Sequence, residues 1–176
     1  MTYADERDLL QQAVTLPQTT PLLIVRHGKA MDRKHWSGRD QARPVTSRGR
    51  KQAKLLIPLL SAFGVAELHS SSSIRCMQTL QPFARRQDRD VQGWSVLSEE
   101  IGETKLPEVT KLMRRLARDA AASGTPTAVC GHRPLLPTML EALGIAARPL
   151  QTAATVIAHL NPQGEAVAVE FHRPRA

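Results

Sequence analysis

The sequence is poor in the residues that define several classes of protein. It has two cysteines, Cys76 and Cys130, among 176 residues, so a disulfide framework is not indicated. Aromatic residues make up 3% of the chain and are scattered singly, whereas proteins that bind single-stranded nucleic acid need aromatic platforms among their basic residues. No apolar run reaches roughly 18 residues, which excludes a transmembrane helix. The first residues lack the basic stretch and apolar core of a secretory signal, so we expect a cytoplasmic protein with neither membrane nor nucleic-acid partners.

The charge balance points to anionic partners. Lysine and arginine total 24 against 16 aspartates and glutamates, which gives a net charge of +8. A basic surface attracts phosphorylated metabolites, phosphoproteins, nucleic acid or acidic lipid, and net charge alone does not choose among them. The apolar share of 41% and the charged share of 23% are ordinary for a soluble globular protein.

The order of apolar runs and turn residues predicts strands that alternate with helices. Four short apolar runs are typical of buried strands, at residues 22–25, 65–69, 91–97 and 126–130. Helical spacing predicts helices over residues 47–63, 74–86, 107–122 and 134–143, and Pro58 is expected to kink the first of them or displace one turn. Asn161-Pro162-Gln163-Gly164 predicts a hairpin turn between residues 153–160 and 165–171.

This alternation predicts a three-layer α/β/α sandwich with a mostly parallel central sheet. We expect one domain over residues 21–176, preceded by an N-terminal extension or linker over residues 1–20 that contains a short helix near residues 5–14. The oligomeric state cannot be read from the sequence, because no heptad pattern or apolar surface strip is present.

Histidine and arginine residues follow the predicted strands at the point where each strand ends. Arg26-His27-Gly28 follows the first strand, and Gly131-His132-Arg133 follows the fourth. The second strand leads through a run of serines to Arg75. Because ligands bind beyond the carboxyl ends of strands in open α/β sheets, we expect two histidines and at least two arginines at one sheet edge.

This set of side chains suits phosphoryl transfer. A neutral imidazole is a competent nucleophile toward phosphorus, and arginine forks match phosphate oxygens. A nucleophilic histidine, two arginines and a second histidine can stabilise the transferring group without a metal ion or other cofactor. The leaving oxygen also needs a proton, and Glu99 and Glu100 after the third strand are the nearest candidates for a general acid.

Four segments, in this order, are similar to the motifs of one family. They are Leu23-Ile24-Val25-Arg26-His27-Gly28, Arg43-Pro44-Val45-Thr46 with Gly49, Ser71-Ser72-Ser73-Ile74-Arg75 with Gln78-Thr79, and Gly131-His132. Together they resemble the histidine phosphatase, or phosphoglycerate mutase-like, superfamily over residues 22–171, in particular its compact SixA-type members. Cys-Gly-His-Arg-Pro-Leu-Leu-Pro at residues 130–137 also resembles the phosphatase domain that follows the Nudix domain in some MutT-type proteins, although no Nudix box occurs here.

The resemblance implies a role for each matched position. His27 would be the nucleophile that becomes phosphohistidine, Arg26 and Arg75 would bind the phosphoryl group, and His132 would stabilise its oxygens. Glu99 corresponds to the family's acid position, with Glu100 as the fallback. The neighbouring residues expected to bind phosphate or substrate are Gly28, Lys29, Arg43 and Arg133. The expected reaction is hydrolysis of a phosphate monoester or phosphoramidate on a small metabolite, a nucleotide or a phosphohistidine protein.

Other interpretations stay open at this stage. The chain could be a non-catalytic phosphate-binding module that retains the pocket. The basic loop after His27 is either a solvated surface or a rim that steers anions, and Trp36 in that loop either stacks on a nucleotide base or anchors the loop. A Cys130–His132 nucleophile pair and a zinc site at the two histidines are conceivable, but no motif supports them.

Overall fold

The computed structural model describes residues 18–174, so the helix expected near residues 5–14 and most of the predicted extension lie outside the described range. The strands are β1 (Thr20–Arg26), β2 (Glu67–Ser71), β3 (Gln92–Trp94), β4 (Thr127–Gly131), β5 (Thr155–Leu160) and β6 (Ala166–His172). The helices are α1 (Ser47–Ala62), α2 (Ile74–Arg86), α3 (Glu99–Gly102), α4 (Leu106–Ser123) and α5 (Leu136–Glu141). Three short 3-10 turns lie at Arg33–His35, Asp40–Ala42 and Ser95–Leu97.

The six strands form one sheet in the order β3-β2-β4-β1-β5-β6. β3, β2, β4 and β1 are mutually parallel, whereas β5 is antiparallel to both β1 and β6. The expected mostly parallel sheet is therefore confirmed, with the predicted hairpin at its antiparallel end. Since β2, β4 and β1 are adjacent and parallel, their carboxyl ends meet at one edge of the sheet.

Helices cover both faces of the sheet, because the strands are apolar on both sides. Leu22 and Ile24 of β1 pack on one face against α4 and α5, through Leu112 and Met139 among others. The alternate residues Leu23 and Val25 pack on the other face against α1 and α2. All four β1 side chains are completely buried, so the three-layer sandwich predicted from the sequence is confirmed.

Two local predictions differ from the structure. α1 runs through Pro58 without interruption, because Pro58 lies on the exposed face, where water can bind the Lys54 carbonyl that a proline cannot. The third strand is shorter than residues 91–97, since β3 spans only Gln92–Trp94 before the chain enters a 3-10 turn. β3 is an edge strand, so its length is determined only by its hydrogen bonds with β2.

The loop that follows β1 is fastened to the first turn of α1. The Lys29 carbonyl accepts hydrogen bonds from the Thr46 amide at 2.8 Å and from the Thr46 hydroxyl at 2.9 Å. The Gly49 amide donates to the same hydroxyl at 3.1 Å, which caps the helix. A β-carbon at Gly49 would collide with the Lys29 carbonyl oxygen, so a glycine here lets helix and loop approach closely. This contact fixes the position of the backbone that directly follows His27.

Replacement of Gly49 by alanine is expected to lower the free energy of unfolding by about 2 kcal/mol, because the added methyl group displaces the Lys29 carbonyl. The matched control is Gly93→Ala on β3, where the nearest atom to an added β-carbon lies at 3.7 Å, and we expect a change within about 0.5 kcal/mol. Urea denaturation of both variants measures the difference. Equal stabilities would show that the loop moves freely away from α1.

Candidate active site

The carboxyl ends of β1, β2 and β4 bring the predicted histidines and Arg75 together. His27 follows β1, His132 follows β4, and their ring centroids lie 5.2 Å apart in an edge-on arrangement. The His27 amide donates to the Gly131 carbonyl at 3.1 Å, which ties the two strand ends to each other. Arg75 lies in the first turn of α2, which begins at Ile74, shortly after β2 ends at Ser71. The sheet edge therefore holds a compact group of imidazole and guanidinium side chains.

The tautomer of His27 is set by its neighbour's backbone. Its Nδ1 lies 2.7 Å from the Gly28 carbonyl oxygen, and a carbonyl can only accept, so Nδ1 carries the proton. Burial lowers the pKa of His27 to about 4, and the charges of Arg75, Arg26 and Arg43 act in the same direction against the Gly28 hydrogen bond. The ring is therefore neutral near pH 7, with the lone pair on Nε2.

His132 is completely buried between β2 and α2. Its Nε2 lies 2.8 Å from the Ser71 hydroxyl and 3.4 Å from the Cys76 sulfur. Its Nδ1 faces Glu99, with 3.8 Å between that nitrogen and Oε1. Burial lowers the pKa of His132 to about 2, and the nearby Arg75 charge adds to the effect. Both histidines are thus neutral in the folded protein.

Arg75 has no exposed surface and is held by two carboxylates. Its Nη1 donates to the Asp40 carbonyl at 2.7 Å, and its Nη2 lies 3.0 Å from both Asp40 Oδ2 and Glu99 Oε2. A buried guanidinium without such partners would be strongly destabilising. Arg75 pairs with Glu99, so the predicted acid lies at the site rather than apart from it.

Asp40 joins the loop after β1 to this group of charges. Besides Arg75, it binds Arg33 Nε at 3.0 Å and Arg43 Nε at 2.9 Å, while Arg33 also reaches Glu99 Oε2 at 2.7 Å. Burial tends to raise the pKa of Asp40, but the hydrogen bonds from Arg33 and Arg43 hold it far below its usual range. Asp40 was not predicted as a site residue. Its position three residues before Arg43, in a loop of basic residues, could have indicated an ion pair.

The other predicted binding residues differ in how they are placed. Arg26 donates to the Leu150 carbonyl, and its pKa is lowered by burial and by the charge of Arg133. The Gly28 amide donates to the Thr79 hydroxyl at 2.9 Å. Lys29 Nζ pairs with Asp32 at 3.0 Å on the surface. Arg43 binds Asp40 and the Met31 carbonyl through three of its five N–H groups, so it mainly holds the loop together.

The cysteines are arranged differently from the conceivable Cys130–His132 pair. Cys76 is the cysteine in contact with His132, and its proximity could not be read from the sequence because 56 positions separate the two. Burial raises the pKa of the Cys130 thiol well above its ordinary value, which opposes a thiolate nucleophile. Within residues 18–174, no group of three or more histidine, cysteine or acidic side chains is arranged to hold a metal ion.

Comparisons with known proteins agree with this geometry. Residues 22–128 match the family model of the Histidine phosphatase superfamily (branch 1). The chain belongs to this superfamily.

A curated relative is the 8-oxo-(d)GTP phosphatase of Mycolicibacterium smegmatis (strain ATCC 700084 / mc(2)155), which is 34% identical over 140 residues. The match covers 79% of this chain but 42% of the relative, so the chain spans less than half the length of that protein. Nothing in the match tests the narrower resemblance to the phosphatase domain of MutT-type proteins, which stays a prediction.

Solved structures share the fold at low sequence identity. The protein histidine phosphatase SixA complexed with tungstate superposes with a TM-score of 0.68 at 20% identity, covering 88% of this chain and 95% of that one. The mycobacterial glucosyl-3-phosphoglycerate phosphatase has a TM-score of 0.62 at 15% identity, covering 88% and 97%. The phosphoglycerate mutase-like fold is therefore confirmed. Among the helices of residues 18–174, none is both long and apolar enough to cross a bilayer.

The lowered pKa values predict that neither His27 nor His132 takes up a proton between pH 8 and pH 5. The unfolded chain binds these protons near the ordinary imidazole pKa of 6.5, so the free energy of unfolding should decrease as the pH falls from about 6.5 toward 4. NMR of the imidazole carbons, with His27→Asn and His132→Asn for assignment, measures both titrations. A midpoint near 6.5 for either ring would contradict the buried neutral site.

Proposed function

We propose that this protein is a phosphatase that works through a phosphohistidine intermediate on His27. The observation that carries the proposal is the 2.7 Å contact between His27 Nδ1 and the Gly28 carbonyl, which leaves a neutral ring with its lone pair on Nε2. His132 lies beside that ring and Arg75 lies within its electrostatic reach, as a phosphoryl-binding site requires. SixA, a structural neighbour, is named a protein histidine phosphatase, and the curated relative is named an 8-oxo-(d)GTP phosphatase.

In the first step, His27 Nε2 attacks phosphorus and the bond from phosphorus to the leaving oxygen or nitrogen breaks. Arg26 and Arg75 bind the phosphoryl oxygens. His132 Nε2 lies 2.8 Å from the Ser71 hydroxyl, and Nδ1 faces Glu99. In the tautomer with the proton on Nδ1, that nitrogen donates a hydrogen bond to a phosphoryl oxygen. In the second step, water attacks phosphorus, the bond from phosphorus to Nε2 breaks, and inorganic phosphate leaves.

Glu99 supplies the proton that the leaving group needs. In the structure Glu99 binds Arg75 and Arg33, and an arriving phosphate replaces it on Arg75. The carboxylate released from Arg75 takes up a proton from the phosphate monoanion of the substrate and passes it to the leaving oxygen or nitrogen as the bond to phosphorus breaks. It later removes a proton from the attacking water. The substrate class that fits this site is a phosphate monoester or phosphoramidate, carried by a nucleotide, another small metabolite or a phosphohistidine protein.

A second candidate is a phosphate-binding module without turnover. It is favoured by one observation, namely that Nη1 and Nη2 of Arg75 are already bound by Asp40 and Glu99, which leaves Nε as the buried nitrogen without a partner. If these ion pairs persist in the complex, phosphate can bind at Arg26 and His132 without the alignment that transfer to His27 requires.

The decisive experiment is hydrolysis of p-nitrophenyl phosphate in the presence of EDTA, with a rapid-quench trap for labelled phosphoenzyme. We expect turnover and an alkali-stable, acid-labile phosphoenzyme in the wild type, and a loss of at least about 1,000-fold in His27→Ala because the nucleophile is gone. The matched control is His159→Ala, since that histidine pairs with Glu170 on the β5–β6 hairpin and should leave turnover unchanged. Phosphate binding without turnover or trapped intermediate would instead support the binding module.

Glu99→Gln tests the role of Glu99 as general acid, by comparing a substrate with a poor leaving group and one with a good leaving group. For an alkyl phosphate, whose alkoxide is a poor leaving group, we expect kcat/KM to fall about 100-fold, whereas p-nitrophenyl phosphate should lose less than about tenfold. Glu141→Gln, at an exposed position of α5, is the matched control, and Glu100→Gln tests the fallback acid. A loss that is equal for both substrates would assign Glu99 to positioning of Arg75 and not to proton transfer.

A further inference from the structure

A groove of about 510 Å³ opens directly beside the candidate active site. Its walls are formed by Arg33, Trp36, Gly38, Asp40, Glu99, Glu100, Glu103 and Thr104. Two of these residues, Asp40 and Glu99, are also the partners of Arg75. Groove and phosphate site are therefore continuous, and the group attached to a phosphate at Arg75 would extend into the groove.

Trp36 forms a fixed flat wall of this groove. Its indole nitrogen donates to the Arg39 carbonyl at 3.0 Å, and its amide donates to the Arg33 carbonyl at 3.1 Å. The ring packs on the backbone of Gly38, where an added β-carbon would come within 2.9 Å of Cζ2. The indole is thus locked before any ligand arrives, and a locked aromatic face favours stacking of another planar ring.

Another part of the groove lining is acidic, although the protein as a whole carries a charge of +8. Asp40 and Glu99 are neutralised by arginines, but within residues 18–174 neither Glu100 nor Glu103 forms an ion pair with a basic side chain. These carboxylates repel any phosphate group that lies in the groove. This repulsion disfavours a nucleoside di- or triphosphate, because its remaining phosphates would lie in the groove when the terminal phosphate is bound at Arg75. They favour a ring edge rich in N–H donors, since a carboxylate accepts two adjacent N–H groups.

We infer that this groove is the leaving-group subsite of the proposed phosphatase, and that it accepts a nucleobase with adjacent ring and amino N–H donors, as in a guanosine monophosphate. The base stacks on Trp36, Glu100 or Glu103 accepts its N–H groups, and the 5′-phosphate reaches Arg75 and His27. The inference rests on the proposed function for its chemistry, but the binding of the base depends on residues outside the phosphate site.

The test is the selectivity of hydrolysis among guanosine 5′-monophosphate, adenosine 5′-monophosphate and ribose 5-phosphate. For the wild type we expect kcat/KM to be at least tenfold higher for the guanosine compound than for ribose 5-phosphate, because base stacking on an aromatic side chain contributes on that order. Trp36→Ala should abolish most of this ratio through KM, and Trp36→Phe should restore part of it. A double variant with Glu100→Gln and Glu103→Gln should lose the preference for guanosine over adenosine.

The matched control is the double variant with Glu108→Gln and Glu141→Gln, an equal change of charge at exposed positions of α4 and α5, which should leave every ratio unchanged. Equal rates for all three compounds would overturn the inference but leave the proposed phosphatase intact. The same conclusion would follow if a basic phosphohistidine peptide were hydrolysed faster and the ratios of kcat/KM among the three compounds did not depend on Trp36. If no phosphoenzyme forms, calorimetric titration of guanosine monophosphate into His27→Ala and the Trp36 variants still decides the base site. Binding that depends on Trp36 would then contradict the proposed chemistry but support the base site. Absence of binding would contradict both the phosphatase and the base site.

Discussion

A single buried guanidinium organises the candidate site. Arg75 has no exposed surface, and an uncompensated charge in such a position would cost several kcal/mol. Its compensation comes from Asp40 in the loop after β1 and from Glu99 after β3, so two segments far apart in sequence are drawn to the first turn of α2. The same charge helps to keep His27 and His132 neutral. The geometry of the site and the protonation of its histidines therefore have one common cause.

Phosphate binding in this arrangement is an exchange of partners. Asp40 and Glu99 bind Nη1 and Nη2 of Arg75, which removes the penalty of an unpaired buried charge but makes an oxyanion at these nitrogens compete with a carboxylate. The competition weakens ground-state binding of phosphate, including that of the product. It also couples arrival of the substrate to release of the Glu99 carboxyl group, which is the group placed to protonate the leaving atom.

Much of this arrangement follows from the sequence because strand ends are readable from short apolar runs. The runs before His27 and His132 predict two parallel strands, and parallel neighbours place their next residues at one edge. The helix that contains Pro58 was predicted from its apolar spacing, whereas the short length of β3 was not predictable, since it depends on the edge position of that strand in the assembled sheet. Asp40 was missed because a polar loop has no periodicity, and the contact of Cys76 with His132 arises only when α2 packs on the sheet.

The central position of β1 has a consequence for synthesis of the chain. Among the strands of residues 18–174, β1 is made first, yet both of its neighbours, β4 and β5, come more than 100 residues later. A ribosome that adds about 5–20 residues per second needs on the order of ten seconds to deliver β4 after β1. During that time the four apolar residues Leu22, Leu23, Ile24 and Val25 have no partner strand, which makes the nascent segment a natural client for a chaperone that binds short hydrophobic stretches.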